Sequence, residues 1–300
     1  MSSKFFKILS ENTGKKAKAR VVIPMAQDEA CAYAVIRGVK SGIMKAVLIG
    51  DAKEISNFYG EIIKSEDVNV VSETDPNSAC KIAVQMISSG KADLLMKGLV
   101  STSSFLKSVL GSQDGLKKAP LLSHLTFFEL KNIPGLKLLS DVAINISPDE
   151  DTLEKIVKNA LEAFKLIEKK QPKVALLSAN EKVSEKVLST VLAKKVSEKF
   201  SGSDQIVEGP ISLDLAICPE SAKIKKYQGK IQGDANIFIV PRIEVGNVLY
   251  KSLQHFAEAD MGGVVFGAKC PVVLTSRSDS NDTKFYSLLL GINLWENGRN

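Results

Sequence analysis

The chain has 300 residues, of which 44% are hydrophobic, and its 40 Lys and Arg side chains against 34 Asp and Glu side chains give a formal net charge of +6. This composition excludes intrinsic disorder, a collagen-like repeat and a small disulfide scaffold, because the apolar residues suffice for a packed core. Residues 1–20 hold six basic side chains against one acidic side chain, so the rest of the chain is nearly neutral. We therefore expect no basic groove for nucleic acid.

The first part of the chain alternates short aliphatic runs with longer amphipathic stretches. The runs lie at 20–24, 45–50, 68–71 and 92–98, and the predicted helices follow at Asp28–Gly42, from Asp51 onward, at Asn77–Gly90 and at Thr102–Leu110. Strands that alternate with helices of this length predict an α/β protein with a mostly parallel sheet. Because helices must cover both faces of such a sheet, we expect three layers.

A second series of the same kind follows a long amphipathic helix at Asp149–Lys169. Its predicted strands lie at 173–178, 234–241 and 262–267, and its predicted helices at Glu181–Phe200 and Glu244–Ala257. A last helix is predicted at Asp279–Trp295. The chain is thus expected to form two α/β halves, with the last helix packed on one of them.

Cysteine and histidine are too scattered for a metal site. The four Cys residues form no C-x-x-C pair and there are only two His, so we expect no zinc and reduced thiols. The N-terminal residues lack the apolar segment of a signal peptide, and no run approaches the ~18–20 apolar residues of a membrane span. The expected location is the cytoplasm, without a membrane partner.

Two Ser/Thr-rich loops, each between a predicted strand and a predicted helix, carry the chemistry that remains. The chain lacks the G-x-G-x-x-G, G-x-x-x-x-G-K-[ST] and G-x-S-x-G motifs of dinucleotide, nucleotide and serine-hydrolase sites. The candidate residues are Lys97, Gly98, Ser101 and Thr102 in the first loop, and Ser276, Arg277, Asp279 and Asp282 in the second. Backbone N–H groups and the dipole at a helix start favour an anion, and a guanidinium suits phosphate. The alternative is that these side chains only cap their helices.

Five separated segments resemble the phosphate acetyl/butyryl transferases, and they occur in that family's order. They are 96–110 with 121–130, 138–160, 207–217, 233–253 and 267–280. The resemblance, closest to the butyryl branch, implies acyl transfer between coenzyme A and inorganic phosphate, with acyl-CoA and phosphate as substrates and no bound cofactor or metal. It also implies two three-layer α/β/α domains with a cleft between them, as in isocitrate and isopropylmalate dehydrogenases, and a homodimer. We expect residues 1–143 and 271–300 to form the first domain, to which the last helix returns, and 144–270 the second.

The resemblance also assigns roles to the second loop. Arg277 would hold the phosphoryl group, Ser276 would help to stabilise the transition state, and a general-base aspartate would lie a few residues further on. Both Asp279 and Asp282 are found there. We favour Asp282, because Asp279 occupies the place of a helix cap.

Other family positions are assigned less directly. The acetyl branch carries further arginines for phosphate, whereas this chain has none between Arg37 and Arg242, so Lys97 is the expected substitute. In this family, the segment that contains Asp141 and Asn145 lies near the cleft, and the segment that contains Gly246 and Asn247 begins a helix close to the site. The alternative for these four residues is a structural role: a strand-end Asp, a capping Asn, and a turn.

Two other functions stay open. A dehydrogenase of the same fold class would need metal-binding aspartates and a cluster of substrate-binding arginines, but the chain has five Arg in all. A ligand-sensing domain of the same fold would need no catalytic residues, and the intact Thr275-Ser276-Arg277 sequence with aspartates nearby argues against it.

Overall fold

The computed structural model describes residues 4–111, 115–276 and 278–299, which form a mixed α/β fold. The strands of this part are β1 (Ala19–Pro24), β2 (Met44–Gly50), β3 (Val68–Ser72), β4 (Leu94–Met96), β5 (Ser123–Glu129), β6 (Lys137–Ser140), β7 (Lys173–Leu177), β8 (Ile206–Ile211), β9 (Ile237–Ile239), β10 (Asp260–Phe266) and β11 (Val272–Val273). The helices are α1 (Lys4–Asn12), α2 (Glu29–Lys40), α3 (Ala52–Tyr59), α4 (Pro76–Ser88), α5 (Thr102–Leu110), α6 (Glu150–Ile167), α7 (Leu188–Glu198), α8 (Leu213–Ile217), α9 (Pro219–Ile224), α10 (Ile243–His255) and α11 (Asn281–Asn297), with a 3₁₀ turn at Gly60–Lys64.

The chain divides into two compact units, Met1–Pro120 with Asp260–Asn300, and Leu121–Ala259. The division expected from the sequence differs at two places, because residues 121–143 group with the second unit and residues 260–270 with the first. The reason is strand pairing: β5 pairs with β6 and β6 with β9, whereas β10 pairs with β11. Helix α11 packs against β10 and α2, so the end of the chain lies in the first unit.

The strands of the first unit follow the order β3-β2-β1-β4-β11-β10. They run parallel from β3 to β11, and β10 is antiparallel to β11. From β1 the chain builds β2 and β3 on one side and then returns to place β4 on the other side. In open α/β sheets, ligands bind at the carboxyl ends of the strands where the order reverses in this way. The fold thus marks the edge beyond β1 and β4 as the place to look for a site.

Gly98 lets the loop after β4 lie directly against the end of β1. A Cβ atom at this position would strike the carbonyl oxygens of Pro24 and Met25. The neighbouring Leu99 N–H donates to the Met25 carbonyl at 2.6 Å. The loops that follow β1 and β4 are therefore fixed to each other by backbone contact.

The strands of the second unit follow the order β5-β6-β9-β7-β8, in which β5 is antiparallel to β6 and the others are parallel. Helix α6 buries its apolar stripe against β5, β6 and β9, in agreement with the amphipathic pattern read from the sequence. The predicted helix from Glu181 is wrong in its first part, since α7 begins at Leu188. Before it, the Ser184 N–H donates to Thr190 Oγ1 at 2.8 Å, which is not a helical backbone bond.

Arg20 and Asp93 fasten the start of β1 to the segment that enters β4. The Arg20 Nε and Nη2 atoms donate to the two Asp93 carboxylate oxygens at 2.7 Å each, and the Arg20 backbone N–H donates to Oδ2 at 2.9 Å. Burial alone would raise the pKa of Asp93, but the hydrogen bonds from Arg20 outweigh it and hold this pKa below its ordinary value. The carboxylate is therefore more stable in the folded chain than in the unfolded one.

We predict that Asp93→Asn lowers the free energy of unfolding by about 1 kcal/mol at pH 7, because Arg20 is partly exposed and water screens the pair. The loss should shrink as the pH falls through the lowered pKa of Asp93, where the carboxylate of the unchanged protein becomes protonated. Urea unfolding at pH 7 and at acid pH measures this. Glu61→Gln, which removes an exposed ion pair with Lys64, is the matched control and should change little. An equal loss at both pH values for Asp93→Asn would contradict the prediction.

Candidate active site

A small pocket of the first unit lies at the carboxyl ends of three adjacent parallel strands, β1, β4 and β11. Its lining residues are Asp28, Cys31, Lys97, Gly98, Leu99, Thr275, Ser276 and Lys284. Because these strands are neighbours and run in one direction, the loops after them meet at one edge of the sheet. The two Ser/Thr-rich loops noted in the sequence thus contribute to the same pocket.

The first loop contributes Lys97 and Gly98. Lys97 is buried, at 7% exposure, and its ammonium lies 3.4 Å from the Gly98 carbonyl oxygen. Ser101 is the N-cap of α5, since its Oγ accepts the Ser104 N–H at 3.1 Å, and Thr102 is the first residue of that helix. Ser101 and Thr102 are exposed and lie outside the set of described residues that line the pocket.

The second loop contributes Thr275 and Ser276. The Ser276 hydroxyl is exposed and shares a 3.0 Å hydrogen bond with Ser278 Oγ. Its backbone N–H donates to Asp279 Oδ2 at 2.6 Å, so the buried Asp279 carboxylate holds the loop in shape. Arg277 lies outside the described residues.

Helix α11 begins at Asn281, two residues after Asp279. The N-cap is Ser280, whose Oγ accepts the Thr283 N–H at 3.1 Å, so the expectation that Asp279 caps this helix is wrong. Asp282 lies in the first turn, where its side chain is 58% exposed and pairs with the Arg37 guanidinium at 3.0 Å. It is not among the described residues of the pocket lining.

Five residues of the pocket lining were not among the candidates named from the sequence: Leu99 and Thr275, which are direct neighbours of named candidates, and Asp28, Cys31 and Lys284. Asp28 caps α2 by accepting the Cys31 N–H at 2.9 Å, and its Oδ2 lies 3.8 Å from the Lys284 ammonium. Burial raises the pKa of the Cys31 thiol to about 12 and the Asp28 carboxylate acts in the same direction, while the Lys284 ammonium opposes them. Cys31 is therefore a neutral thiol at pH 7. Asp28 was within reach of the sequence, because it follows β1 as Lys97 follows β4.

Asp141 and Asn145 of the second unit form a network that holds the loop after β6. Asp141 is 2% exposed, and its carboxylate accepts from Asn145 Nδ2 at 2.6 Å and from three backbone N–H groups, those of His124, Ala143 and Ile144. Asn145 Nδ2 also donates to the Leu122 carbonyl at 2.9 Å. These bonds give both residues a structural role in the fold.

Gly246 and Asn247 lie near the start of α10, which begins at Ile243 with Arg242 as its N-cap, so the alternative of a turn with Asn247 as the N-cap is wrong. Gly246 is buried in the first turns of α10. A Cβ atom at this position would strike the Asp141 carbonyl oxygen and come within 3.1 Å of the Val142 Cα. Glycine thus lets α10 approach the loop after β6. Asn247 is exposed on the helix.

Within the described ranges, no three His, Cys, Asp or Glu side chains gather as the ligands of a metal ion would. The helices of the same ranges include none that is long and apolar enough to cross a membrane.

Comparison with known proteins gives a consistent assignment. Residues 63–292 match the family model described as phosphate acetyl/butaryl transferase. The chain is 38% identical to the phosphate butyryltransferase of Clostridium acetobutylicum over 97% of both chains, and 31% identical to the phosphate acetyltransferase of Thermotoga maritima over 95% of this chain and 98% of that one. It superposes on a branched-chain phosphotransacylase from Enterococcus faecalis V583 with a TM-score of 0.83 and 38% identity, over 92% of this chain and 99% of the other. This chain belongs to the phosphate acetyl/butyryl transferase family.

Proposed function

We propose that this protein moves a short acyl group between coenzyme A and inorganic phosphate, in the reaction acyl-CoA + phosphate ⇌ acyl phosphate + CoA. The pocket at the ends of β1, β4 and β11 carries this proposal. It combines the buried ammonium of Lys97 with the exposed hydroxyl of Ser276, next to the position of Arg277 in the chain. Such a pocket offers charge and hydrogen-bond donors to a phosphoryl group.

The chemistry requires these residue types. A phosphate oxygen attacks the thioester carbonyl carbon, the C–S bond breaks, and the thiolate leaves with the electron pair and takes up a proton. Negative charge develops on the carbonyl oxygen in between, and donors placed for that charge make the largest contribution to catalysis. We assign this role to Ser276 and the holding of the phosphoryl group to Arg277. In the reverse direction a carboxylate must accept the thiol proton, because a thiol with a pKa of about 8.5 is mostly protonated at neutral pH.

A butyryl or propionyl group is proposed as the preferred acyl group. The lack of arginine between Arg37 and Arg242 supports the butyryl branch, with Lys97 as the substitute cation. One methylene group in an apolar pocket changes binding by only about 1–3 kcal/mol, so we expect activity with acetyl-CoA as well.

The finer architecture and the assembly stay predictions from the resemblance. They are two three-layer domains of the isocitrate and isopropylmalate dehydrogenase type with a cleft between them, a homodimer, and a cytoplasmic location. A direct contact of Asp141, Asn145, Gly246, Asn247, Ser101 or Thr102 with phosphate or CoA also stays a prediction. The hydrogen bonds of Asp141 and the cap formed by Ser101 support a structural contribution of these two residues.

The reaction is tested by measuring free thiol released from acetyl-, propionyl- and butyryl-CoA, with and without inorganic phosphate. We expect release that depends on phosphate and is fastest with propionyl- or butyryl-CoA, while sulfate in place of phosphate gives none. A parallel assay follows nicotinamide absorbance with hydroxy acids, as a dehydrogenase would require. If phosphate causes no thiol release from any of the three esters, the proposal is wrong.

Arg277→Ala should abolish phosphate binding and turnover together while the fold is retained, with a loss of about 10²–10³ in kcat. Arg277→Lys should recover little, because an ammonium does not reproduce the two-pronged guanidinium. Steady-state kinetics with varied phosphate measures both. Arg299→Ala, which removes an exposed guanidinium stacked on Trp295, is the control and should leave the kinetics unchanged. An unchanged phosphate KM in Arg277→Ala would identify Arg277 as an ordinary surface charge.

Asp282→Ala should lower kcat by about 10²–10⁴ with little change in the KM for CoA, as expected for loss of a general base. Arg37→Gln is its matched control, because it breaks the same ion pair but leaves the carboxylate in place. Asp279→Ala removes the acceptor of the Ser276 N–H and should lower the thermal midpoint. If Asp282→Ala keeps a near-normal kcat while Asp279→Ala abolishes it without loss of stability, the base is Asp279.

A further inference from the structure

Lys284 is a buried cation at the start of α11 that the proposed chemistry has not yet used. Its side chain is 6% exposed, and its ammonium lies in the lining of the pocket together with Lys97 and Ser276. Among the described residues, this ammonium forms an ion pair with Asp28, whose Oδ2 lies 3.8 Å from the Lys284 Nζ. That distance is too long for a direct hydrogen bond.

The Asp28 carboxylate does not fully satisfy the Lys284 ammonium, which lies 3.8 Å from its Oδ2. Its Oδ2 already accepts the Cys31 N–H at 2.9 Å. Among the described residues, the long contact with Asp28 is the one ion pair of the buried Lys284 ammonium. Burying an ammonium is costly unless it is paired and hydrogen-bonded, so this arrangement favours a further anion beside Lys284.

A purely structural role for the Lys284–Asp28 pair would be to join α11 to α2. The Arg37–Asp282 pair already joins the same two helices at the surface at 3.0 Å, and Arg37 also stacks on Phe285, with 4.0 Å between its guanidinium carbon and the ring centroid. The two helices pack together directly as well. A long, buried ion pair adds little to that contact, whereas its position in the pocket places a charge where phosphate is proposed to bind.

We propose that Lys284 is a phosphate-binding residue of this enzyme, whose ammonium donates a hydrogen bond to the phosphoryl oxygen that enters the pocket, and that Asp28 is the residue that positions it. This inference rests on the proposed function and adds a residue to its site. The free space in the pocket is only about 20 Å³, too little for a whole phosphoryl group, so the group would lie at the mouth beside the exposed Ser276 and direct one oxygen inward. Lys284 and Lys97 then neutralise charge on that oxygen while another oxygen attacks the thioester.

The deciding experiment compares Lys284→Met, Lys284→Arg and the double variant Asp28→Asn/Lys284→Met. Binding of inorganic phosphate is measured by calorimetry, and the KM values for phosphate and for butyryl-CoA are measured separately from kcat. We expect Lys284→Met to raise the phosphate Kd and KM about 10- to 100-fold, as for loss of a charge-assisted hydrogen bond, with the butyryl-CoA KM unchanged. Lys284→Arg should recover part of the phosphate affinity. Lys107→Met, which removes an exposed lysine of the same unit, is the control.

The double variant separates binding from stability, because it leaves neither charge of the pair alone in the protein. We expect it to fold with a thermal midpoint near that of the unchanged protein but to bind phosphate as weakly as Lys284→Met. Recovery of phosphate affinity in the double variant would overturn the proposal and make the pair purely structural. A rise in the KM for butyryl-CoA with an unchanged phosphate KM would also overturn it, since Lys284 would then contact a phosphate of coenzyme A.

A wrong assignment of Lys284 and a wrong assignment of the reaction give different experimental results. If the unchanged protein releases no thiol from acyl-CoA, the proposed reaction is wrong, whereas the calorimetric titration with inorganic phosphate still measures the role of Lys284. If the unchanged protein is active and Lys284→Met has normal phosphate affinity, only the assignment of Lys284 is wrong.

Discussion

The pocket depends on a strand of two residues. Strand β11 pairs in parallel with β4 through Val272 with Leu95 and Val273 with Met96, and the Lys97 N–H extends this ladder to the Val273 carbonyl at 3.0 Å. On its other side β11 pairs with β10. A segment so short would be unstable alone, but ladders on both sides fix it in the sheet. The loop carrying Ser276 is thereby held beside Lys97, although the whole second unit lies between them in the sequence. A site that must hold a phosphoryl group in one orientation gains from such rigid support.

Three helices begin at this same edge of the sheet: α2, α5 and α11. Each has its N-cap side chain, Asp28, Ser101 and Ser280, which accepts one of the free N–H groups of the first turn. The caps therefore use donors that an anion would otherwise contact. The positive ends of the helix dipoles remain, but their effect is modest beside that of a full charge in a buried pocket. In the proposed site, we therefore expect the main attraction for phosphate to come from lysine ammonium groups.

The sequence predicted the elements whose patterns are long and regular. Helix α6 and the alternation of β1, β2 and β3 with helices follow from apolar periodicity, and the two loops of the pocket were found because each joins a strand to a helix. The strand before Ser276 was also predicted, and only Val272 and Val273 of it form β11. Strands β5 and β6 were not predicted, because their apolar runs lack the helix between them that marks a parallel unit. The roles of Asp279 and Lys284 depend on where α11 begins, and a shift of one residue in that start decides which side chain caps the helix and which enters the pocket.

Among the described residues, the pocket takes its positive charge from lysine and not from arginine. An ammonium is a compact point charge on a flexible stem, whereas a guanidinium is a planar fork that needs room for several donors. The Lys97 and Lys284 ammonium groups already line the pocket, and only about 20 Å³ of free space remains beside them. Because ammonium groups supply charge without a fixed orientation, the direction of the phosphoryl group in the proposed site would have to come from other donors, such as the exposed Ser276 hydroxyl. We therefore expect the two kinds of cation to have different tasks in the proposed site, with lysine neutralising charge and Arg277 orienting the phosphoryl group.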